Sequence, residues 1–169
     1  MIEKATFAAG CFWGVEEAFK RVPGVIKTLV GYTGGNTSDP DYSTVCRGKT
    51  GHVEACEVFF DNEMISYEEL LTVFWNIHDP TQKDRQGYDV GTQYRSAIFY
   101  HNHEQKRKAE SSRKRIEGNL KESVATEIHP AGRFWEAEAD HQDHLEINPR
   151  GYCHINMAKV DKLIENLKR

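Results

Sequence analysis

The chain has 169 residues, 38% of them hydrophobic and 28% charged, with a formal net charge of -4 at pH 7. This is the composition of a soluble globular protein with a core of its own, read as one domain over residues 1–169. The negative balance, a main basic run (106–115) interrupted by Glu110, and the lack of any apolar stretch of membrane-spanning length leave nucleic acid and membrane as unexpected partners.

The elements follow in a definite order. An apolar strand is predicted near residues 4–9, then a helix from residue 11 to about 21 whose face is marked by Val15, Ala18, Phe19 and Val22. Pro23-Gly24 breaks it, and a second strand covers 25–32. Gly34-Gly35-Asn36 opens a long loop containing Asp39-Pro40-Asp41-Tyr42, followed by a third strand over 52–60. Ser66-Tyr67-Glu68-Glu69 offers a capping box for a helix with Leu70, Leu71, Phe74 and Ile77 on its apolar face, ended by Asp79-Pro80. A second long loop, 81–93, precedes a fourth strand over 94–100. The order β-α-β-β-α-β predicts a ferredoxin-like α+β sandwich with long active-site loops. A charged helix (103–120), a short strand (124–128) and two further C-terminal helices are additions to it, and residues 148–169 form a C-terminal segment carrying Cys153.

Four cysteines, Cys11, Cys46, Cys56 and Cys153, are too few and too widely spaced for a disulfide scaffold, and no C-x-x-C pair exists. With no basic region followed by a long apolar stretch at its start, the chain is expected in the cytoplasm, as a monomer.

Cys11 lies where a strand gives way to a helix, in Gly10-Cys11-Phe12-Trp13-Gly14. A cysteine in the first helical turn feels the positive end of the macrodipole and unpaired backbone N–H groups, and both favour thiolate. The two aromatic rings beside it offer an apolar wall. The plain alternative is a small buried cysteine in a core. Glu54 shares its strand face with Cys56, Val58 and Phe60. A carboxyl there is expected to stay protonated near neutrality, as a general acid does, unless it is solvated or paired at a frayed strand end. Tyr42, Asp89 and Tyr94 lie in or beside the long loops, where phenol O–H groups can donate to a polar oxygen or simply pack. Cys153 follows the turn Asn148-Pro149-Arg150-Gly151 and is placed to swing toward another thiol, whereas Cys46 and Cys56 read as structural. His141 and His144, one turn apart beside Asp140 and Asp143, read as a solvated helix face rather than a metal site.

Several blocks resemble one family. Gly10 to Gly14, Gly31-Tyr32-Thr33-Gly34-Gly35 through Tyr42, Gly48 through Glu54, and His78-Asp79-Pro80-Thr81 through Tyr94-Arg95-Ser96 are similar to the A-class peptide methionine sulfoxide reductases, as is Asn148 through Cys153. The resemblance implies reduction of the S-epimer of methionine sulfoxide. It makes Cys11 the nucleophile and Glu54 the acid that protonates the sulfoxide oxygen. Tyr42 and Tyr94 would bond that oxygen, Asp89 would order the site, and Phe12 and Trp13 would hold the S-methyl group. Attack leaves Cys11 as a sulfenic acid, a second thiol condenses with it to a disulfide, and an external dithiol reduces that bridge. The implied reductant is thioredoxin, with no metal or organic cofactor. Some relatives relay the disulfide through two late cysteines in a glycine-rich tail; this chain has only Cys153, so a single Cys11–Cys153 bridge is expected. The competing readings are a thiol peroxidase, which would want an arginine near the thiolate, and a metal carrier, which would want a second cysteine in the first strand–helix loop.

Overall fold

The computed structural model describes residues 1–167. Strand β1 (Ile2–Ala8) leads into α1 (Phe12–Lys20), then β2 (Val25–Thr33), a short α2 (Tyr42–Cys46), β3 (Val53–Asp61) and α3 (Tyr67–Asn76). A two-residue hairpin, β4 (Arg85–Gln86) and β5 (Asp89–Val90), precedes β6 (Ala97–Tyr100), α4 (His103–Asn119) and β7 (Glu127–Pro130). Last come β8 (Trp135–Glu136), α5 (His144–Ile147) and α6 (Met157–Leu167).

The six-stranded sheet runs β7-β6-β1-β3-β2-β8. Its inner four strands, β6-β1-β3-β2, are antiparallel throughout, which is the ferredoxin-like arrangement the element order predicts. The crossover α4 brings β7 in parallel beside β6, because a parallel neighbour needs a connection long enough to return along the sheet. Helices α1 and α3 cover one face, where Phe7 stacks on Phe19 at 5.0 Å and on Phe74 at 5.2 Å. The other face carries Ala8, Val53, Ala55, Ala97 and Phe99, roofed by Ala131 and Phe134. Burying each large side chain contributes about 1.5–3 kcal/mol, so the core on the helix side dominates the stability.

Both long loops contain regular structure that the sequence reading left out. Asp41 and Thr44 form a reciprocal capping box that closes α2, as Ser66 and Glu69 do for α3. Tyr94, expected to open a strand, instead ends a single 3-10 turn over Thr92–Tyr94. Strand β8 pairs with Gly31 and Tyr32 of β2 and covers that edge of the sheet. Where β8 stops, the Gln142 side chain continues the pairing. Its Oε1 accepts from the Val30 N–H at 2.9 Å and its Nε2 donates to the Val30 carbonyl at 2.8 Å.

His141 and His144 do not lie on one solvated helix. Ala139–His141 is a 3-10 turn, α5 begins at His144, and His141 is 8% exposed. The chain turns between them at Asp143, whose φ of 56° lies in the left-handed region. Its N–H donates to Glu16 Oε1 at 2.8 Å, and Glu16 Oε2 accepts from the Thr28 hydroxyl at 2.8 Å. A carboxylate 2% exposed thus ties α1, β2 and the C-terminal segment together, assisted by Lys20, which contacts Asp143 and Glu146. Among the described residues no helix is long and apolar enough to cross a membrane.

Replacing Glu16 leaves the Asp143 amide and the Thr28 hydroxyl without their shared acceptor. Glu16→Ala is expected to destabilise the fold by about 1–3 kcal/mol. For a chain of this size that lowers the melting midpoint by roughly 2–10 °C, measurable by circular dichroism.

Candidate active site

The start of α1 is built by the turn before it. Gly10 sits at φ +92°, and a Cβ there would come within 2.8 Å of His154 Nε2 and 2.9 Å of Gln86 Cβ, so only glycine fits. Cys11 is the N-cap residue and makes no side-chain capping bond. The first free amide of the helix, Phe12 N–H, donates instead to Glu54 Oε1 at 3.1 Å. The next, Trp13 N–H, faces the Cys11 sulfur.

Glu54 stands at the second position of β3, 1% exposed, directly opposite Tyr32 of β2 in the register. Oε2, its other oxygen, is buried and has no hydrogen-bond partner. Burial pushes this carboxyl up to about 8, against the pull of the Phe12 amide and with a further push from Asp89. It therefore holds its proton at neutral pH, as its apolar strand face implies.

Cys11 departs from the expectation of a resting thiolate. At 8% exposure, burial pushes its thiol well above the ordinary range, and the Glu54 charge adds to the push. The Trp13 amide pulls the other way without prevailing. The helix N-terminus supplies the stabilising amide, but it does so in a closed pocket beside another acid. Two acids thus face each other, and a proton on Glu54 is what eases ionisation of Cys11.

Tyr42 and Tyr94 converge on the same place. Burial drives the Tyr94 hydroxyl upward, Glu54 and Tyr42 adding to it. Burial and a bond to the Cys46 side chain do the same for Tyr42, where Glu54 and Cys11 are also felt. Both remain phenols and hydrogen-bond donors. Cys46, which reads as structural in the sequence, instead neighbours Tyr42 and feels the Glu54 charge; Cys56 is fully buried in the core. Asp89 accepts from the Tyr152 hydroxyl at 2.8 Å, fastening the Cys153 segment to the β4–β5 hairpin.

The aromatic wall is more elaborate than the two residues read from the sequence. Trp13 donates its indole N–H to His141 Nδ1 at 3.0 Å and stacks on the His144 ring at 3.8 Å between centroids. The His141 ring packs 4.6 Å from Tyr42 and 5.4 Å from Phe12. Phe12 is wholly enclosed, with Tyr32 at 5.7 Å, so Trp13 is the partly open member of the pair. Glu138 joins this side of the site: its carboxylate accepts from the Tyr32 hydroxyl at 2.8 Å and from the Tyr42 N–H at 2.9 Å. Glu138, His141 and His144 were not legible as site residues, because their role depends on β8 folding them back over α1. The sole signal was the Asp-His-Gln-Asp-His run itself.

Cys153 lies half-buried over the first turn of α1. Its Sγ is 3.1 Å from where a Gly14 Cβ would stand, so the glycine after Trp13 makes room for the second sulfur. All four cysteines are free thiols. Among the described residues no group of three or more His, Cys, Asp or Glu side chains is arranged to hold a metal ion.

Known proteins carry the same plan. The chain is 57% identical over 155 residues to the peptide methionine sulfoxide reductase MsrA of Methanothermobacter thermautotrophicus, covering 90% of this chain and 92% of that one. The reduced form of Mxr1 from Saccharomyces cerevisiae superposes with a TM-score of 0.87 at 33% identity, over 92% of this chain and 91% of Mxr1. Mxr1 in complex with Trx2 matches with a TM-score of 0.61 at 23% identity, over 85% of this chain and 84% of that one. The sequence profile described as peptide methionine sulfoxide reductase matches residues 3–169. With its cysteine–carboxyl pair at the head of α1 and this likeness over nearly its whole length, the chain belongs to the peptide methionine sulfoxide reductase family, oxidoreductases that return methionine sulfoxide to methionine.

Proposed function

We propose that Cys11 attacks the sulfur of methionine-S-sulfoxide, peptide-bound or free, while Glu54 supplies the proton that makes the sulfoxide reactive. The observation that carries this reading is the Glu54 carboxyl, pinned by the Phe12 amide on one oxygen, unpartnered on the other and close enough to raise the Cys11 thiol. A sulfoxide is a poor electrophile until its oxygen is protonated or strongly hydrogen-bonded. Glu54 Oε2 is the buried donor for that oxygen, and the Tyr42 and Tyr94 hydroxyls complete its cradle. Trp13 offers the apolar wall for the S-methyl group, and Phe12 holds that wall from behind, fixed by Tyr32 and His141. Oxygen passes from substrate to enzyme as a hydroxyl. The Cys11 thiol gives its proton to the carboxylate that Glu54 becomes, and its sulfur takes the hydroxyl as the substrate S–O bond breaks. Methionine leaves and Cys11 is left as the sulfenic acid.

Cys153 then resolves the sulfenic acid. Its sulfur forms a bond to the Cys11 sulfur, the S–O bond breaks, and the oxygen leaves as water. A cavity of about 250 Å³ bordered by Arg21, Leu145 and Met157 opens onto Cys153 and gives an external dithiol access to the bridge. A thioredoxin fits this role, since Mxr1 forms a complex with Trx2. Asp89 orders the resolving segment through Tyr152. The cycle asks for no metal or organic cofactor, and we assign the protein a cytoplasmic place as a monomeric repair enzyme. Family membership does not favour the peroxidase or metal-carrier readings.

Glu54→Gln keeps the shape of the site but removes the donated proton and the charge. Methionine formation in a single turnover is expected to fall by about 10²–10⁴-fold. In the same variant Cys11 should ionise at lower pH, seen as a downward shift in the pH profile of its alkylation by iodoacetamide. In the unmodified enzyme the acid form of Glu54 is present below its value of about 8 and lost above it. Cys11 thiolate grows with pH while the Glu54 acid is lost above about 8, so the single-turnover rate should rise with pH and level off near 8, whereas that of Glu54→Gln should keep climbing. Full activity in that variant would exclude the acid role.

Cys153→Ser is expected to yield one methionine per chain in the absence of reductant while losing repeated turnover with thioredoxin. Mass mapping of the unmodified protein after one turnover should find a Cys11–Cys153 bridge. A variant that recycles at the full rate would assign resolution elsewhere.

A further inference from the structure

His154 follows Cys153 directly, and its ring rests on the turn that presents Cys11. Its Nε2 lies 2.8 Å from the Ala9 carbonyl oxygen. A carbonyl only accepts, so this nitrogen carries the ring's proton and Nδ1 is a bare acceptor. That nitrogen is buried and has no hydrogen-bond partner. A buried lone pair without a donor is uncommon in a folded protein and calls for a reason.

The neighbour that supplies the reason is the Cys153 thiol. His154 Nδ1 and Cys153 Sγ both lie against Gly14, 3.3 Å and 3.1 Å from the position of a Cβ there. The thiol now donates to the Ile155 carbonyl at 3.3 Å, a group that can accept a hydrogen bond but not take the proton away. Burial pushes the Cys153 thiol up, so little thiolate is present at neutral pH and its attack needs a base. The charges that reach this thiol are Glu17, which opposes its ionisation, and Arg21, which favours it, and those two side chains bond to each other at 3.1 Å. Burial holds the His154 ring below its ordinary range, which keeps Nδ1 open. The titratable groups facing the ring are Asp89 on β5, which favours its charging, His78 beyond α3, and Cys153. His78 is itself held neutral, at about 4, by burial.

We propose that His154 Nδ1 is the proton acceptor for Cys153 when that thiol attacks the Cys11 sulfenic acid. This rests on Cys153 being the resolving residue. In the step the Sγ–Sγ bond forms and the S–O bond of the sulfenic acid breaks. The thiol proton passes to Nδ1 and from there to the departing hydroxide, which leaves as water. Cys153 is oxidised, the sulfenic sulfur is reduced, and the ring returns to its neutral form.

Rapid-quench single turnovers of the full chain with a peptide methionine-S-sulfoxide and no reductant separate the two steps. His154→Gln retains a donor for Ala9. It is expected to form methionine at the unmodified rate, to close the disulfide roughly tenfold or more slowly, and to accumulate a sulfenic acid that dimedone traps. The closing rate of the unmodified enzyme should be nearly flat between about pH 7 and 9, and that of the variant should climb toward tenfold per pH unit with the thiolate. A variant that closes the bridge at the unmodified rate overturns the proposal. If the variant fails to fold, the unmodified profile decides: a flat one supports the His154 role and a steep one overturns it. A bridge mapped away from Cys153 overturns the resolving assignment and the proposal with it; methionine absent altogether overturns the Cys11 assignment.

Discussion

One hydrogen bond joins the two halves of the chemistry: the Phe12 amide to Glu54, 3.1 Å long and sealed from water. It replaces the capping bond that Cys11 does not make, so the helix start is stabilised by a strand residue rather than by its own cap. The bond fixes the distance between thiol and carboxyl and leaves one carboxyl oxygen unspoken for. It also makes the two groups electrostatically interdependent, because each raises the cost of charge on the other. Everything around the pair, from the Gly10 turn to the phenols of Tyr42 and Tyr94, shapes the space where a polar oxygen can meet both.

The C-terminal third of the chain completes the site rather than decorating the fold. Gln142 extends the sheet edge, Glu16 receives the Asp143 amide, and Glu138 bridges Tyr32 to the α2 backbone. Together they press His141 and His144 against Trp13. A fold reading confined to βαββαβ would place Cys11 at the head of α1 and leave the aromatic wall beside it open.

The local signals in the sequence were strong where they report on chain-local physics. Helical spacing, the Ser66–Glu69 capping box and the period-two face of β3 depend on neighbours within a few residues, and the structure keeps them. The motif around Cys11 and the apolar company of Glu54 are local in the same way, and the structure sets these two residues together at the head of α1. What escaped was set by distant contacts. Two residues of β8 carry no periodicity, and the burial of His141 follows from a turn at Asp143 that a buried carboxylate of α1 holds. The resting thiol of Cys11 was misjudged for a related cause. The dipole argument is local, whereas the desolvation that outweighs it comes from packing by the whole pocket.

The packing of Cys153 over Gly14 has a kinetic meaning. A sulfur tethered within contact distance of the same helical turn acts at an effective concentration in the millimolar range or above, independent of how dilute the enzyme is. In the proposed cycle a sulfenic acid at Cys11 would be captured in a first-order event, while further oxidation to the sulfinic acid depends on a second encounter with oxidant. On that reading the small side of Gly14 sets a race between closure and irreversible damage, decided by the closing rate against the oxidant's concentration multiplied by its own rate constant.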